Sequence, residues 1–201
     1  MLELYTAGTN NGQRATITLE ECGLPYTLHK VDLAKGGAKT EQFKKLNPNA
    51  RIPVLVDSEG PGGKAVTVTQ SWAICLYAAE KSGKLLPRDP ARRIEALSWL
   101  FHVATDLAPM RSPNNVAEAI GAKDKVLAFY DKSFREALET IDRRLGEADY
   151  LAGEISVADL ALYPMVKRRA ALAEAAPALA NVLRWLKALD ARPGCQRGLA
   201  A

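Results

Sequence analysis

The chain has 201 residues, of which 48% are hydrophobic and 25% charged, and its formal net charge at pH 7 is +4. This length and composition suit one large or two small domains with a substantial buried core. The basic residues form no lysine block and few aromatic residues lie among them, so nucleic acid is not an expected partner. No segment approaches the roughly 20 apolar residues that span a membrane, and no targeting signal is visible.

The cysteines and histidines predict neither a disulfide framework nor a metal site. Cys22, Cys75 and Cys195 are far apart, and an odd number without C-x-x-C suits a reducing, cytoplasmic location. Cys22 and Cys75 fall on helix faces and are interpreted as core residues. Cys195 lies near the C-terminus, where it could be exposed. His29 and His102 lack a second ligand at a metal-binding spacing.

Strand-like and helix-like segments alternate through the first 82 residues. Residues 2–7 alternate apolar and polar positions, residues 16–23 are helix-like and end on Gly23, and residues 26–33 alternate again. We place the start of this first helix near Gly12. The first part of the chain therefore predicts a β-α-β unit.

Two further strands and two helices complete this half. A lysine-rich helical stretch at 40–47 precedes apolar strands at 52–57 and 65–70, which a glycine-rich turn joins. A helix then begins near Ser71 and stops before Gly83. The predicted order is β-α-β-α-β-β-α.

Helical spacing replaces the strand pattern beyond a short proline-containing linker at 83–90. We expect an N-terminal domain over 1–82 and an all-helical domain over 91–201, with a loop at 111–124. Apolar residues spaced by three or four predict three buried helix faces. These faces are Ile94, Leu97, Phe101 and Ala104; Leu127, Tyr130, Phe134, Leu138, Ile141 and Leu145; and Leu179, Val182, Leu186 and Leu189.

Ser156 and Asp159 have the spacing of a helix capping box. The serine oxygen accepts from the amide of residue 159 and the aspartate reaches back to the Ser156 amide. A catalytic aspartate is the alternative, but the structural interpretation is favoured because this spacing satisfies orphan amides by itself.

Pro53 lies where the apolar strand at 52–57 is expected to begin. Proline cannot donate a ladder hydrogen bond and is confined to strand starts, edges and bends. Pro53 therefore either starts the strand or shapes a binding surface, and this segment alone leaves both interpretations open.

The element order and three motifs occur together: NARIPVL at 49–55, TQSWAI at 69–74 and SVADLAL at 156–162. In this order they resemble a cytosolic glutathione transferase over essentially the whole chain. The resemblance implies a thioredoxin-like α/β domain followed by an all-α domain. It also implies a cis bond between Ile52 and Pro53, with the Ile52 backbone pairing with glutathione like an added strand.

The resemblance carries further glutathione contacts onto matching positions. Ser71 offers its hydroxyl and a helix N-terminus to the γ-glutamyl carboxylate, and Gln70 lies by the ammonium group. Arg51 acts through its charge near a ligand carboxylate. Lys39 reaches the glycine carboxylate, although a merely solvated lysine is an equal alternative.

Residues 8–12 resemble the T-x-N-G stretch of the bacterial Nu class, whose members are known as glutathione-dependent disulfide reductases. This places Thr9 and Asn11 opposite the glutathione sulfur, where donors favour the thiolate that acts as nucleophile. Tyr5 lies within the first strand and is too early for this role. The structural alternative makes Asn11 only an N-cap and Thr9 only a turn residue.

The resemblance implies a glutathione transferase that conjugates electrophiles, reduces disulfides and peroxides, or both, with glutathione as co-substrate. The alternative is a non-catalytic binding or regulatory protein of the same fold. Phe101, His102 and Met110 are expected to border the second-substrate pocket. A homodimer is implied, with Trp72 and the helix from Ala91 as interface contributors, although a core position is an equal alternative for Trp72. Residues 110–125 depart from the Nu pattern, so the preferred reaction stays open.

Overall fold

A computed structural model, which describes residues 1–111, 123–175 and 177–201, places four strands of the N-terminal half in one mixed sheet. The sheet order is β2-β1-β3-β4, with β1 parallel to β2 and antiparallel to β3, and β3 antiparallel to β4. The strands are β1 (Leu2–Thr6), β2 (Tyr26–Lys30), β3 (Val54–Asp57) and β4 (Val66–Thr69).

Three helices of this half follow from local signals. They are α1 (Asn10–Cys22), α2 (Glu41–Leu46) and α3 (Ser71–Ser82). Gly23 and Gly83 end α1 and α3 with φ of 69° and 67°, a left-handed conformation that glycine adopts without a β-carbon clash. Both predicted stops are confirmed. Helix α1 begins at Asn10, two residues before the predicted start.

Apolar side chains cover both faces of the sheet. On one face Leu2 and Leu4 pack with Leu19 of α1 and Ile74 of α3. On the other face Phe43 of α2 belongs to a second cluster around β3. Complete burial of such a side chain contributes about 1.5–3 kcal/mol to the stability of the fold, so these two apolar layers hold the helices against the sheet.

The second half is helical where the structure describes it. A π turn at Val103–Leu107 and a 3-10 turn at Ala108–Arg111 follow the first of its helices. Among the described helices, none is both long and apolar enough to cross a lipid bilayer. These helices are α4 (Pro90–His102), α5 (Lys123–Glu147), α6 (Val157–Lys167), α7 (Ala170–Glu174), α8 (Ala180–Asp190) and α9 (Pro193–Ala200).

The chain forms two compact units. One consists of Met1–Leu86 together with Ala191–Ala201, and the other of Pro87–Asp190. Helix α9 therefore packs with the sheet-containing unit, although it follows the helical half in the chain. Most of the loop expected at 111–124 lies outside the described residues.

The predicted buried faces of α5 and α8 are largely confirmed. Their buried residues are Phe134, Leu138, Ile141 and Leu145 on α5, and Val182, Leu186 and Leu189 on α8, with Leu179 buried just before α8. The predicted face of α4 is wrong, because Ile94 is 64% and Phe101 55% exposed. Ala96 and Leu100 instead face the interior of this unit. Ala96 and Leu100 have the same helical spacing on a neighbouring face. The prediction of a helix with one buried face was therefore correct, but the predicted face was not the buried one.

The capping box at the start of α6 is confirmed. The Ser156 hydroxyl accepts from the Ala158 amide at 3.3 Å, and the Asp159 carboxylate accepts from the Ser156 amide at 3.0 Å. Asp159 is fully buried and also accepts from the Leu151 amide at 3.0 Å and from Trp185 Nε1 at 2.9 Å. These contacts explain the aspartate as a structural residue.

Cys195 on α9 is 0% exposed, so its position near the C-terminus does not leave it open to solvent. Its amide donates to Glu21 on α1 at 3.1 Å, and Arg192 donates to the same carboxylate at 2.9 Å from Nε. Docking of α9 on α1 thus covers the thiol. Cys22 and Cys75 are buried as predicted, and all three cysteines are free thiols.

Candidate functional site

Three chain segments meet at one edge of the sheet. In the strand register Tyr5 lies opposite Val54, and Val54 lies opposite Thr69. The end of β1, the start of β3 and the end of β4 are therefore side by side. This brings together the segments predicted to bind glutathione, which are residues 7–11, 51–53 and 70–71.

Thr9 is the N-cap of α1, with an extended backbone, and its hydroxyl accepts from the Gly12 amide at 3.1 Å. Asn11 lies within the first turn of the helix, so the alternative in which Asn11 is the N-cap is wrong. A β-carbon at Gly12 would lie 1.9 Å from the carbonyl oxygen of Ala7, and only glycine lets the loop pass so close to the helix. The helix thus presents its positive N-terminal end at the sheet edge.

A buried arginine joins α1 to α3. Arg14 is 0% exposed, and its Nη1 lies 2.8 Å from Asn11 Oδ1 and 2.8 Å from Ser71 Oγ. Its guanidinium carbon lies 3.7 Å from the centroid of the Trp72 ring, a cation–π contact. Arg14 therefore connects two of the predicted glutathione-binding residues within the core of the unit.

Sequence reasoning missed Arg14, because its burial is seen only in the structure. The residue heads a run of α1 in which positions 14–19 are all buried. A charged side chain enters such a run only if hydrogen bonds and opposing or polarisable groups compensate its lost hydration. Trp72, expected at an interface or in the core, is half-buried and supplies one of those contacts.

The start of α3 has an unusual backbone. Gln70 precedes the helix with φ of 72° and ψ of 121°, in the left-handed region that non-glycine residues rarely adopt. The Gln70 side chain is exposed, whereas Ser71 is 3% exposed and begins the helix as predicted. This turn separates the two residues, with Gln70 toward solvent and Ser71 toward Arg14.

The peptide bond between Ile52 and Pro53 is cis, which confirms that expectation. Pro53 is buried and Ile52 half-buried directly before β3. Arg51 is exposed, and its carbonyl accepts from Asn47 Nδ2 at 2.6 Å. Lys39 is also exposed, so the roles of both cations at ligand carboxylates stay predictions.

Tyr5 has a structural environment. Its hydroxyl donates to Glu3 Oε2 at 2.9 Å, and its ring stacks on His29 with centroids 4.3 Å apart. The hydrogen bond to Glu3, with burial and the nearby negative charge, raises the pKa of Tyr5. A phenol that already donates to a carboxylate is poorly suited to stabilise a thiolate. This agrees with the position of Tyr5 within the first strand, which excluded it from that role.

The residues expected at a second-substrate pocket belong to the helical unit. His102 ends α4, and its Nδ1 lies 2.7 Å from Asp106 Oδ2. Hydrogen bonds from Thr105 and His102 lower the pKa of Asp106. Phe101 is exposed, whereas the side chain of Met110 lies outside what the structure describes. Their part in substrate binding stays a prediction.

The described ranges contain no group of three or more His, Cys, Asp and Glu side chains arranged to hold a metal ion. The polar groups at the sheet edge are instead hydroxyls, an amide and a guanidinium. This set suits an organic anion better than a divalent cation, which prefers several carboxylates, imidazoles or thiolates.

The sheet, with helices on both faces and a cis-proline at the edge where α1 and α3 begin, defines a thioredoxin-like domain followed by a helical unit. Residues 10–81 match the N-terminal domain of glutathione S-transferases, and residues 124–194 match the C-terminal domain. The chain belongs to the glutathione S-transferase family, as the motifs in its sequence indicated.

The relatives include bacterial enzymes of similar length. The chain is 35% identical over 207 residues to the disulfide-bond oxidoreductase YfcG of Escherichia coli, covering 99% of this chain and 94% of that protein. It is 33% identical to a Pseudomonas putida glutathione transferase crystallised with one glutathione disulfide bound per subunit (TM-score 0.87, covering 98% and 90%). It is 32% identical to a Pseudomonas fluorescens family member with two glutathione bound (TM-score 0.88, covering 98% and 92%).

Proposed function

We propose that this protein is a glutathione transferase whose thiolate chemistry takes place at the sheet edge of the first unit. The observation that carries this proposal is the linkage of Asn11 and Ser71 through Arg14 beside the helix cap Thr9. Hydroxyl and amide donors are thereby gathered at the N-terminal ends of two helices. Such an arrangement suits a ligand that carries both a thiolate and a carboxylate.

Glutathione binding is proposed to use contacts along this edge. The γ-glutamyl carboxylate takes a hydrogen bond from Ser71 at the start of α3, and its ammonium lies by Gln70. The cysteinyl backbone pairs with the backbone of Ile52 in the manner of an added strand. Arg51 and Lys39 supply positive charge for the carboxylates at the exposed side of the site.

Activation of the thiol is proposed to depend on donors and needs no protein base. A free thiol has a pKa of about 8.5 and is mostly protonated at neutral pH. The Thr9 hydroxyl accepts from the Gly12 amide, so its own proton is directed elsewhere and can donate to the sulfur. With the Asn11 amide and the N-terminus of α1, it favours the thiolate, and each pKa unit corresponds to about 1.4 kcal/mol.

Disulfide reduction is the reaction that the relatives favour, since YfcG is named a disulfide-bond oxidoreductase and the two Pseudomonas structures hold glutathione disulfide or two glutathiones. The first glutathione thiolate attacks one sulfur of the substrate disulfide, and the other sulfur leaves as a thiolate that takes a proton from water. A second glutathione thiolate then attacks the glutathione sulfur of the mixed disulfide, the bond to the remaining substrate sulfur breaks, and that sulfur leaves as a thiolate that takes a proton from water. The substrate gains two electrons, and glutathione disulfide is the oxidised product.

A cytoplasmic homodimer is proposed for the assembly. The three free cysteines suit a reducing compartment. Ile94 and Phe101, seven residues apart on α4, are large apolar side chains that their own unit leaves exposed. A second copy of the chain is the occupant that the family implies for this helix, and Phe101 is then either an interface or a pocket residue.

The test is turnover of glutathione with two substrates, a generic electrophile and a small disulfide. We expect turnover with the disulfide, and conjugation of the electrophile would show that the thiolate also attacks carbon. Glutathione binding without turnover of either substrate would support the non-catalytic alternative. Sedimentation of the same sample measures whether the chain is a dimer.

A further inference from the structure

We infer that Arg14 is a positioning residue that sets the direction of two donors in the glutathione site, Asn11 at the thiol and Ser71 at the γ-glutamyl carboxylate. The inference rests on the proposed function, because it assigns a role within that same site. Arg14 itself is fully buried beneath the site and acts through Asn11 and Ser71.

The chemistry of the guanidinium decides the orientation of both partners. Arginine has donors and no acceptor, so Asn11 must turn its Oδ1 toward Arg14. The amide nitrogen Nδ2 then lies on the opposite side of the Asn11 side chain, as a donor directed away from Arg14. Ser71 Oγ must likewise accept from Arg14, so the Ser71 proton points elsewhere.

The position of Arg14 is itself held by packing. The Arg14 guanidinium lies over the Trp72 ring. Arg14 belongs to α1, which Thr9 caps, and its hydrogen-bond partner Ser71 is the first residue of α3. One nitrogen therefore bridges the first turns of two helices. Without it, Asn11 Oδ1 and Ser71 Oγ both lose the donor that holds them in this orientation.

The two contacts have separable consequences. In the proposed site Asn11 donates to the sulfur, so loss of its orientation is expected to reduce the fraction of bound glutathione present as thiolate. Ser71 is proposed to donate to the γ-glutamyl carboxylate, so loss of its orientation is expected to weaken glutathione binding. Removal of Arg14 is expected to raise the pKa of the bound thiol and the KM for glutathione together.

The test compares Arg14→Met and Arg14→Lys with the unaltered protein. The thiolate of bound glutathione is followed by its ultraviolet absorbance as pH is varied, and kcat and KM are measured separately. For Arg14→Met we expect the thiol pKa to rise by about one unit and kcat/KM near neutral pH to fall about tenfold or more. Lysine keeps the charge but ends about a bond short of Nη1, so Arg14→Lys is expected to recover only part of either effect.

The matched control is Arg192→Met. Arg192 also donates to a side chain of α1, but to Glu21 at the opposite end of the helix. We expect this variant to lose stability while the thiol pKa and KM stay at their original values. A melting curve for each variant shows which of them are folded.

Double variants test whether Arg14 acts through its two partners. Adding Arg14→Met to Asn11→Ala is expected to raise the thiol pKa little further, and adding it to Ser71→Ala is expected to raise KM little further. Fully additive effects would overturn the inference, as would a folded Arg14→Met or Arg14→Lys with unchanged thiol pKa and KM. Absence of glutathione turnover in the unaltered protein would instead overturn the proposed function.

Discussion

Gly198 lies against the backbone of Ile17, where a β-carbon on Gly198 would be 2.4 Å from the Ile17 Cα. The Thr16 hydroxyl donates to the Gly198 carbonyl at 2.5 Å, and Gln13 Nε2 donates to the Leu199 carbonyl at 3.1 Å. Helix α9 is thus packed backbone to backbone on α1. Because α1 carries the proposed thiol-activating residues, α9 stabilises the site indirectly, through its packing on α1.

Gly198→Ala is expected to destabilise the protein by about 1–3 kcal/mol, since backbone atoms cannot move aside as a flexible side chain does. The measurement is urea denaturation. Gly146→Ala is the matched control, because its β-carbon would meet only the end of the Asn181 side chain, at 3.2 Å, and alanine favours a helix over glycine. Equal effects of the two substitutions would contradict close packing of α9 on α1.

Thr9→Ala is expected to lower kcat/KM about tenfold with a modest change in glutathione affinity, because a donor to the thiolate is lost. The substitution also removes the helix cap and about 1 kcal/mol of stability. Thr9→Ser keeps the hydroxyl and should retain most of the activity. Asp89→Ala removes the cap of α4 and controls for lost stability. An unchanged rate in Thr9→Ala would remove Thr9 from the mechanism.

Asp57 at the end of β3 links stability to pH. Burial alone would raise the pKa of Asp57, but Lys81, the Tyr77 hydroxyl and the Glu59 amide lower it to about 2 from 3.8. A depressed folded-state pKa gives stability that is present above the unfolded value and is lost as pH falls toward the folded one. We therefore expect stability from this cluster to disappear between about pH 4 and about pH 2.

Lys81→Met tests the pH dependence. It should lower the free energy of unfolding near neutral pH, because the ammonium lies 2.8 Å from the buried Asp57 carboxylate. The difference from the unaltered protein should shrink as Asp57 is protonated. Lys35→Met, which removes an exposed pair with Asp32 at 3.5 Å, is expected to have little effect at any pH. A pH-independent effect of Lys81→Met would contradict this assignment.

Asp159→Ala is expected to destabilise the protein by about 3–5 kcal/mol, because the Leu151 and Ser156 amides and the Trp185 indole lose a buried acceptor. Trp185→Phe removes one donor and should have a smaller effect. Asp149→Ala removes a largely exposed pair with Arg184 and is the control. Urea denaturation compares the three, and a small effect of Asp159→Ala would contradict its structural role.

Elements with local causes could be predicted from the sequence. Gly23 and Gly83 end helices because a left-handed residue is needed there, and Ser156 with Asp159 forms a cap from residues three apart. The faces of α5 and α8 were predicted because several large apolar residues repeat on one side. On α4, apolar residues repeat at helical spacing on two neighbouring faces. Which of these faces is buried depends on the helices that pack around α4.

The sequence by itself determined the order of strands and helices, the cis-proline motif and the family, because these depend on short-range spacing and characteristic motifs. Only the tertiary structure decided that Arg14 joins Asn11 to Ser71 and that α9 buries Cys195 against α1. The contact between Arg14 and Ser71 joins residues 57 positions apart in the chain, and the contact between Glu21 and Cys195 joins residues 174 positions apart. Such residues come into contact only when the sheet register and the helix packing are fixed, so a local sequence pattern does not predict their contact.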